Sequence, residues 1–387
     1  NKEGDILAFE IDDLTAIGPY SMFPRTSAIE GNQVVNLVGG PYKHQNYRAN
    51  LRVVFQNKTP TCQYRGVGHP IACAVTEGLV DLVAQKLKMD PIEIRKRNVI
   101  PDDAYPYTGI SGIKLEVLSH QQCLRKIEKM MNYPALRKEQ EELRKKGIYR
   151  GIGIATLIEL TNPSAAFYGV GGARIASQDG ATVRLDPTGI ISVMIGVGEQ
   201  GQGTESIFAQ IAADVVGVPI QNVRIITGDT DVTPYGGGTW ASRGAGVGGE
   251  AVLRSCEALR DNILKLAGAI LKRDADSVVV RRGNIVDKAN REQLLTLSEL
   301  GRIGYFRPDT LPADFSVDLM VTRHYAQKDY PFIFTNGVQA SYVEVDVDTG
   351  FVKLLKHWAV EDCGRVLNPM LVDEQFRGAI VQGIGGA

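Results

Sequence analysis

The chain has 387 residues, 44% hydrophobic and 22% charged, an ordinary globular composition and enough length for two or three domain-sized units. Its formal net charge of −1 supplies no basic field for nucleic acid or an anionic lipid surface. No apolar run reaches the roughly 20 residues that span a bilayer, and the five cysteines, Cys62, Cys73, Cys123, Cys256 and Cys363, lack zinc or iron–sulfur spacing, so they read as buried structural thiols of a reducing compartment.

In chain order, 5–56 alternates apolar and polar residues in short runs such as Ile6–Ile11 and Leu51–Phe55, which predict strands. From Pro70 to Lys88, Ile71, Ala74, Val75, Leu79, Leu82, Val83 and Leu87 recur at helical spacing. Asp90-Pro-Ile-Glu93 is a helix start, with a capping acid, proline in the first turn and glutamate three residues on. Ser119 caps a further predicted helix through Tyr133, and Leu136–Lys146 is a charged, solvated helix ended by Gly147. Gly151–Leu160 is a buried-strand pattern that opens a second unit. Val183–Val193 predicts a hairpin turning at Asp186-Pro-Thr-Gly189, Val278–Asp287 another, and Val345–Val352 repeats that logic, a hint of internal duplication. The expected fold is α+β, a mixed α/β arrangement of two similar sheet-and-helix units, 1–150 and 151–387.

Glycine-rich loops stand out against this background. Gly196-Val-Gly-Glu-Gln-Gly-Gln-Gly203 follows the strand-like Ile190–Ile195 and enters a helix pattern, Thr204–Gly217. Uncovered backbone N–H groups at such a helix start suit an anionic, phosphate-bearing ligand; a plain glycine turn explains the loop equally well when it is taken alone. It lacks the Gly-Lys-Ser/Thr of a Walker loop. It satisfies Gly-x-Gly-x-x-Gly, with Asp229 after the next strand pattern, but its strand reads as part of a hairpin rather than of a βαβ unit. A second glycine-rich loop, Thr230–Glu250, opens the helix pattern Ala251–Lys272, and a third segment, Cys62-Gln-Tyr-Arg-Gly-Val-Gly-His-Pro70, opens the helix after Pro70. Three such loops suggest one extended polar ligand.

Four segments in order carry a family resemblance: Tyr64-Arg-Gly-Val-Gly68, Glu199-Gln-Gly-Gln-Gly203, Gly238-Thr-Trp-Ala-Ser-Arg243, and Asp362-Cys-Gly-Arg-Val-Leu-Asn-Pro369 with Gln375–Gly383. Together they resemble the molybdenum-cofactor subunit of the xanthine oxidase family of molybdenum hydroxylases, which includes aldehyde oxidases and carbon monoxide dehydrogenases. The resemblance covers nearly the whole chain. It implies the molybdopterin-binding fold of the xanthine oxidase type, built of two molybdopterin-binding units. The chain begins at Asn1 and stops at Ala387 inside a small-residue helix pattern, and the expectation is an internal portion of a longer polypeptide, with the C-terminal part of the second unit and the family's catalytic glutamate lying downstream. No catalytic residue is assigned.

The resemblance implies that Arg65 and Gly66 reach the metal site through backbone groups. Gly201, Gln202 and Gly203 would face the metal-bound oxygen or the pterin. Thr239 and Ser242 would donate hydroxyls and Ala241 a backbone amide to the pterin phosphate, Arg243 would screen its charge, and Gln382 would contact the pterin again. Copper-containing members carry a cysteine after the loop arginine. Gly66 stands there instead, which argues against copper–molybdenum chemistry. Val67 replaces a phenylalanine and Gln33 an arginine of the purine-oxidising members, so the substrate pocket departs from theirs. His69 lies beside this loop, with lining the pocket and structuring the helix start both open. The implied activity is hydroxylation of an aldehyde or N-heterocyclic carbon with water as oxygen donor. Its cofactor would be molybdopterin, as a mononucleotide or a cytosine dinucleotide, with [2Fe–2S] and FAD on partner subunits, and the assembly a cytoplasmic dimer of heterotrimers. The alternative is a non-catalytic or split-subunit module that completes a partner's site.

Overall fold

The computed structural model describes residues 1–22, 26–166, 175–328, 330 and 332–387. Along the chain, β1 (Ala8–Ala16), α1 (Ile29–Leu37), β2 (Asn46–Val54), α2 (His69–Leu87), α3 (Pro91–Asn98), the short pair β3 (Tyr107–Thr108) and β4 (Lys114–Leu115), α4 (His120–Met131), α5 (Tyr133–Arg144) and β5 (Tyr149–Thr161) come first. They are followed by β6 (Gln178–Leu185), β7 (Ile191–Ile195), α6 (Thr204–Val216), β8 (Val223–Ile226), α7 (Gly249–Leu271), β9 (Val278–Arg281), β10 (Asn284–Asp287), β11 (Gln293–Thr296), α8 (Leu297–Phe306), β12 (Met320–Ala326), β13 (Ile333–Val345), β14 (Val352–Asp362) and α9 (Pro369–Gly386). The mixed sheet-and-helix class expected from the sequence is the one observed.

Two units emerge, Asn1–Thr161 with Phe332–Arg365, and Asn162–Pro331 with Val366–Ala387. This differs from a single division after residue 150. The β13–β14 hairpin returns late in the chain to pair along all of β5, Ile333 beside Thr161 through Val345 beside Tyr149, and so joins the first unit. Only the long-range register sets that pairing; nothing local in the sequence announces it.

In the first unit, β1 and β2 run parallel, Ala8 beside Asn46 through Ala16 beside Val54, with α1 as the crossover. Parallel strands require such a crossover, so the stretch read as strands alone contains a nine-residue helix. The antiparallel sheet β14–β13–β5 forms the larger layer, with α2 against β5 and α4 against β13 and β14. Asp90 caps α3 as its sequence predicts, accepting from Ile92 N at 2.8 Å. Ser119 does not cap α4. Its hydroxyl donates instead to Asp362 at 2.7 Å, and its backbone N–H donates to Asn336.

Under this sheet lies a buried polar knot. Glu77 of α2 accepts from Tyr42 and Thr156 hydroxyls at 2.7 and 2.6 Å and from Arg95 Nε at 2.8 Å, while Arg95 also meets Asp81 at 2.8 Å. Arg95 is fully buried, and its pairing with the Glu77 and Asp81 carboxylates is what makes burial of the charge tolerable. Burial and the neighbouring carboxylate push the Tyr42 hydroxyl well above its ordinary range.

The second unit has a four-stranded sheet in the order β12–β6–β7–β8, with β7 and β8 parallel and the other pairs antiparallel. Every residue of β7 is buried. α6 and α7 pack against one another, and α7 also against β6 and β12, closing a core that includes Val183, Val193, Phe208, Cys256, Leu259 and Ile263. The antiparallel sheet β11–β10–β9 and α8 complete it; α8 carries a full capping box between Thr296 and Glu299. Of the five cysteines, Cys123 and Cys256 are buried and Cys73 partly so. Cys62 and Cys363 are exposed, against the expectation of five buried thiols. Both exposed thiols sit in loop segments outside helix and strand, where no sheet or helix face covers them.

Candidate cofactor-binding loops

The first glycine-rich loop joins β7 to α6. Since β7 pairs in parallel with β8, β7–α6–β8 is a βαβ crossover, and the loop sits where that motif carries an anion-binding turn. The hairpin reading of its strand was incomplete, because β7 pairs with β6 on one edge and β8 on the other. The amides at the helix start, however, are already taken. Glu199 Oε1 accepts from Gln200 N at 3.1 Å, Gly201 N at 2.8 Å and Gly203 N at 2.9 Å, and Oε2 accepts from Glu205 N at 3.1 Å. Partial burial alone would raise this carboxyl, but the four backbone donors hold it below the usual glutamate range. The uncovered amides expected from the sequence are therefore covered by the loop's own acid. Asp229 is likewise engaged locally, accepting from Asp231 N in a turn.

Gln202 is folded into the same loop. Its carbonyl accepts from Gln200 N at 2.6 Å, and its amide donates to Gly198 O at 3.3 Å and to the Thr204 hydroxyl. Gly201 and Gly203 both adopt left-handed backbone, φ +97° and +82°. At Gly201 an added side chain would meet nothing within 4 Å, so its backbone is open to approach; at Gly203 a Cβ would press on Leu371 of α9, about where that helix begins.

The second loop is tied to the first. Thr239 Oγ1 donates to Gly198 O at 2.6 Å. With its one proton committed there, Thr239 joins two loops and can only accept from a ligand, whereas a phosphate needs donors. Ala241 and Ser242 follow in left-handed conformation, φ +48° and +52°, a region that costs non-glycine residues roughly 1–2 kcal/mol each. Ser242 is exposed and does not cap α7, which is preceded by a wide turn at Gly244–Gly248.

Arg243 does not face a phosphate. It is fully buried, forms an ion pair with the fully buried Asp179 of β6, donates to Gly238 O at 2.7 Å and stacks on Trp240 at 5.3 Å. Trp240 Nε1 in turn donates to Gly237 O at 2.8 Å. Burial pushes the Asp179 carboxyl above its ordinary value, against the pull of Arg243 and of the Gly238 and Gly237 amides. The pair pins the backbone of the second loop from beneath, and the glycine at 236 leaves the room it needs, since a Cβ there would run into the Asp179 carboxylate. Sequence reading missed Asp179, because nothing local links β6 to this loop. Gln382 lies on α9, partly exposed.

The third segment belongs to the first unit. Arg65 is exposed, Gly66 is left-handed at φ +75°, and Val67 is partly exposed. Gly68, φ +74°, packs so closely on α1 that an added Cβ would lie 2.6 Å from Gln33 Cβ. Gln33 itself is buried, so the structure brings Gln33 and the Arg65–Gly68 loop together. His69 begins α2, buried, its Nδ1 3.3 Å from Glu159 Oε1 of β5. Glu159 carries no mark in the sequence. Among the described residues, no three His, Cys, Asp or Glu side chains converge to hold a metal ion directly, and no helix is long and apolar enough to cross a membrane.

The family model described as "Molybdopterin cofactor-binding domain" matches residues 126–387, and a second model of the same description matches residues 1–99. The chain belongs to the molybdopterin cofactor-binding family. It is 33% identical over its whole length to the nicotine 6-hydroxylase large subunit of Paenarthrobacter nicotinovorans, covering 47% of that protein. It is 28% identical to the carbon monoxide dehydrogenase large chain of Hydrogenophaga pseudoflava, over 98% of this chain and 47% of the relative. A crystal structure of quinoline 2-oxidoreductase from Pseudomonas putida 86 superimposes with a TM-score of 0.91 at 34% identity, over 100% of this chain and 49% of that one. The chain thus spans about half the length of the relatives it matches. The loops suit a large polar ligand: Gly201 offers approachable backbone, Ser242 an exposed hydroxyl, and Glu199, though exposed, has its oxygens turned onto backbone amides.

Proposed function

We propose that this chain forms the cofactor-binding part of a molybdenum hydroxylase that oxidises an N-heterocyclic or aldehyde carbon with oxygen taken from water. The observation that carries the reading is the tie between two glycine-rich loops, Thr239 to Gly198, in a chain of the molybdopterin-binding family. The 33% identical relative is named for nicotine and the 34% identical structure for quinoline, which favours an N-heterocycle. When bound, molybdopterin, as mononucleotide or cytosine dinucleotide, supplies two-electron oxidation at molybdenum.

Gly201, Gln202 and Gly203 would border the metal end of the ligand, Ala241 and Ser242 would donate to its phosphate, and Gln382 would meet the pterin. Thr239 would hold the two loops in register. On the first unit, Arg65 and Gly66 would offer backbone groups to the metal site. Val67 leaves more space than an aromatic side chain would, and Gln33, buried against Gly68, would bring an amide rather than a full positive charge to this side of the substrate pocket. The glycine at 66 provides no thiolate for copper. Electrons would leave through [2Fe–2S] and FAD partner subunits, in a cytoplasmic dimer of heterotrimers. The test is turnover of N-heterocycles by the natively purified complex in ¹⁸O-water: the reading expects one labelled oxygen in the hydroxylated product, and an unlabelled product, its oxygen taken from O₂, would refute it. A molybdenum-loaded, intact complex that turns over nothing would favour the non-catalytic module.

A further inference from the structure

Glu199 is an exposed acid with every feature of a solvated surface residue except its partners, which are four backbone N–H groups at the start of α6. We propose that Glu199 is a positioning residue, the built-in anion of this helix start, whose carboxylate shapes the turn that presents Gln202. The proposal rests on the reading of this loop as a cofactor loop.

Gly201 and Gly203 are left-handed and glycine has no strong preference for that region over others, so the turn has no local reason to hold one shape. Hydrogen bonds must supply it. Glu199 spans residues 200 to 205, bracketing Gln202 on both sides, and a carboxylate with its charge at a helix N-terminus makes stronger bonds than a neutral acceptor. Gln200 N, which donates to Glu199, is also the donor to the Gln202 carbonyl, so the two side chains share one amide. Without the carboxylate, three of these amides, those of Gly201, Gly203 and Glu205, would turn to water, and Gln202 would lose the turn that holds its side chain against Gln200 N, Gly198 O and Thr204. The nest excludes an external phosphate while Glu199 fills it, so the cofactor phosphate falls to Ala241 and Ser242 rather than to the glycine loop that resembles a phosphate site.

The experiment uses the natively purified complex carrying Glu199→Ala or Glu199→Gln. Hydrogen exchange of the peptide covering residues 198–206 should rise about tenfold in Glu199→Ala and less in Glu199→Gln, which keeps one acceptor oxygen. Pterin content, measured by fluorescence of the released oxidised pterin, should fall in the same order. Added acetate should slow exchange again in Glu199→Ala by refilling the nest, and chloride at equal ionic strength should not. Unchanged exchange in Glu199→Ala overturns the proposal. So does faster exchange with full pterin content, because Glu199 would then order the loop without positioning anything for the ligand. Should the wild-type complex itself hold no pterin, the reading of the loop as a cofactor site fails, while the exchange and acetate comparisons still decide whether Glu199 holds the turn.

Discussion

Asp179→Asn probes the ion pair beneath the second loop. Both Asp179 and Arg243 are fully buried, so the substitution removes the negative charge from a buried ion pair. Removing one partner of a buried pair typically costs about 3–5 kcal/mol. The Gly238 carbonyl and the Trp240 ring remain as partners of Arg243, which places the expected loss near the lower end, about 3 kcal/mol. At roughly 2–4 °C per kcal/mol for a unit of this size, the transition should fall by about 6–12 °C in calorimetry. A double variant, Asp179→Leu with Arg243→Met, removes both charges, and should be less damaged than Asp179→Asn alone, since burying two apolar side chains avoids the unpaired charge. A melting temperature of Asp179→Asn within about 2 °C of wild type, or a double variant whose loss equals the sum of the two single ones, would refute the assignment of this pair as the anchor of the loop.

Three other outcomes can be checked. Gly68→Ala should destabilise the first unit by more than about 2 kcal/mol, from the left-handed φ of +74° plus a Cβ pressed against Gln33, measured by urea titration. Tyr42→Phe should cost roughly 1–3 kcal/mol in the same assay, because it strips one hydrogen bond from the buried carboxylate of Glu77. Burial pushes Glu361 up to about 7 from 4.5, so the folded state binds a proton that the unfolded state has released between those values, and stability is lost as pH rises through that window. Glu361→Gln should therefore gain up to about 3 kcal/mol over wild type above pH 7 and almost nothing below pH 4.5. In that variant the acid side should be governed by His120, which burial pushes down to about 4, so that stability falls as pH drops below 6.5. A pH profile of stability identical in Glu361→Gln and wild type would contradict this account.

Much of the local structure is legible in the chain because local rules set it. Asp90 reads as a cap and is one, α6 follows its apolar spacing, and the turn at Asp186–Gly189 closes the β6–β7 hairpin. The helix α2 forms where its spacing predicts, but Ile71, Val75, Leu79, Leu82 and Val83 of that apolar stripe are exposed, and Ala72, Thr76, Glu77, Val80 and Ala84 make the buried face. The glycine loops are equally visible, because few other residues tolerate those backbone angles. What eludes the sequence is set by distant partners. The helix α1 is short, lacks a side-chain cap and hides in a strand-like stretch, yet it is what lets β1 and β2 run parallel. Arg243 reads as a cation that screens the pterin phosphate until Asp179, on the distant strand β6, is seen to hold it in the interior. Ser119 reads as a cap and is instead drawn to Asp362, on a strand far along the chain. Glu199 reads as one acid among glycines; only the folded turn shows its carboxylate filling the amides that the sequence left open to a ligand.

The most direct test of the central claim is elemental analysis of the natively purified complex with its partner subunits. The account predicts about one molybdenum per chain together with iron, and no copper, since Gly66 offers no thiolate. An intact complex without molybdenum would contradict the cofactor assignment outright, and stoichiometric copper would overturn the reading of the Arg65–Gly68 loop.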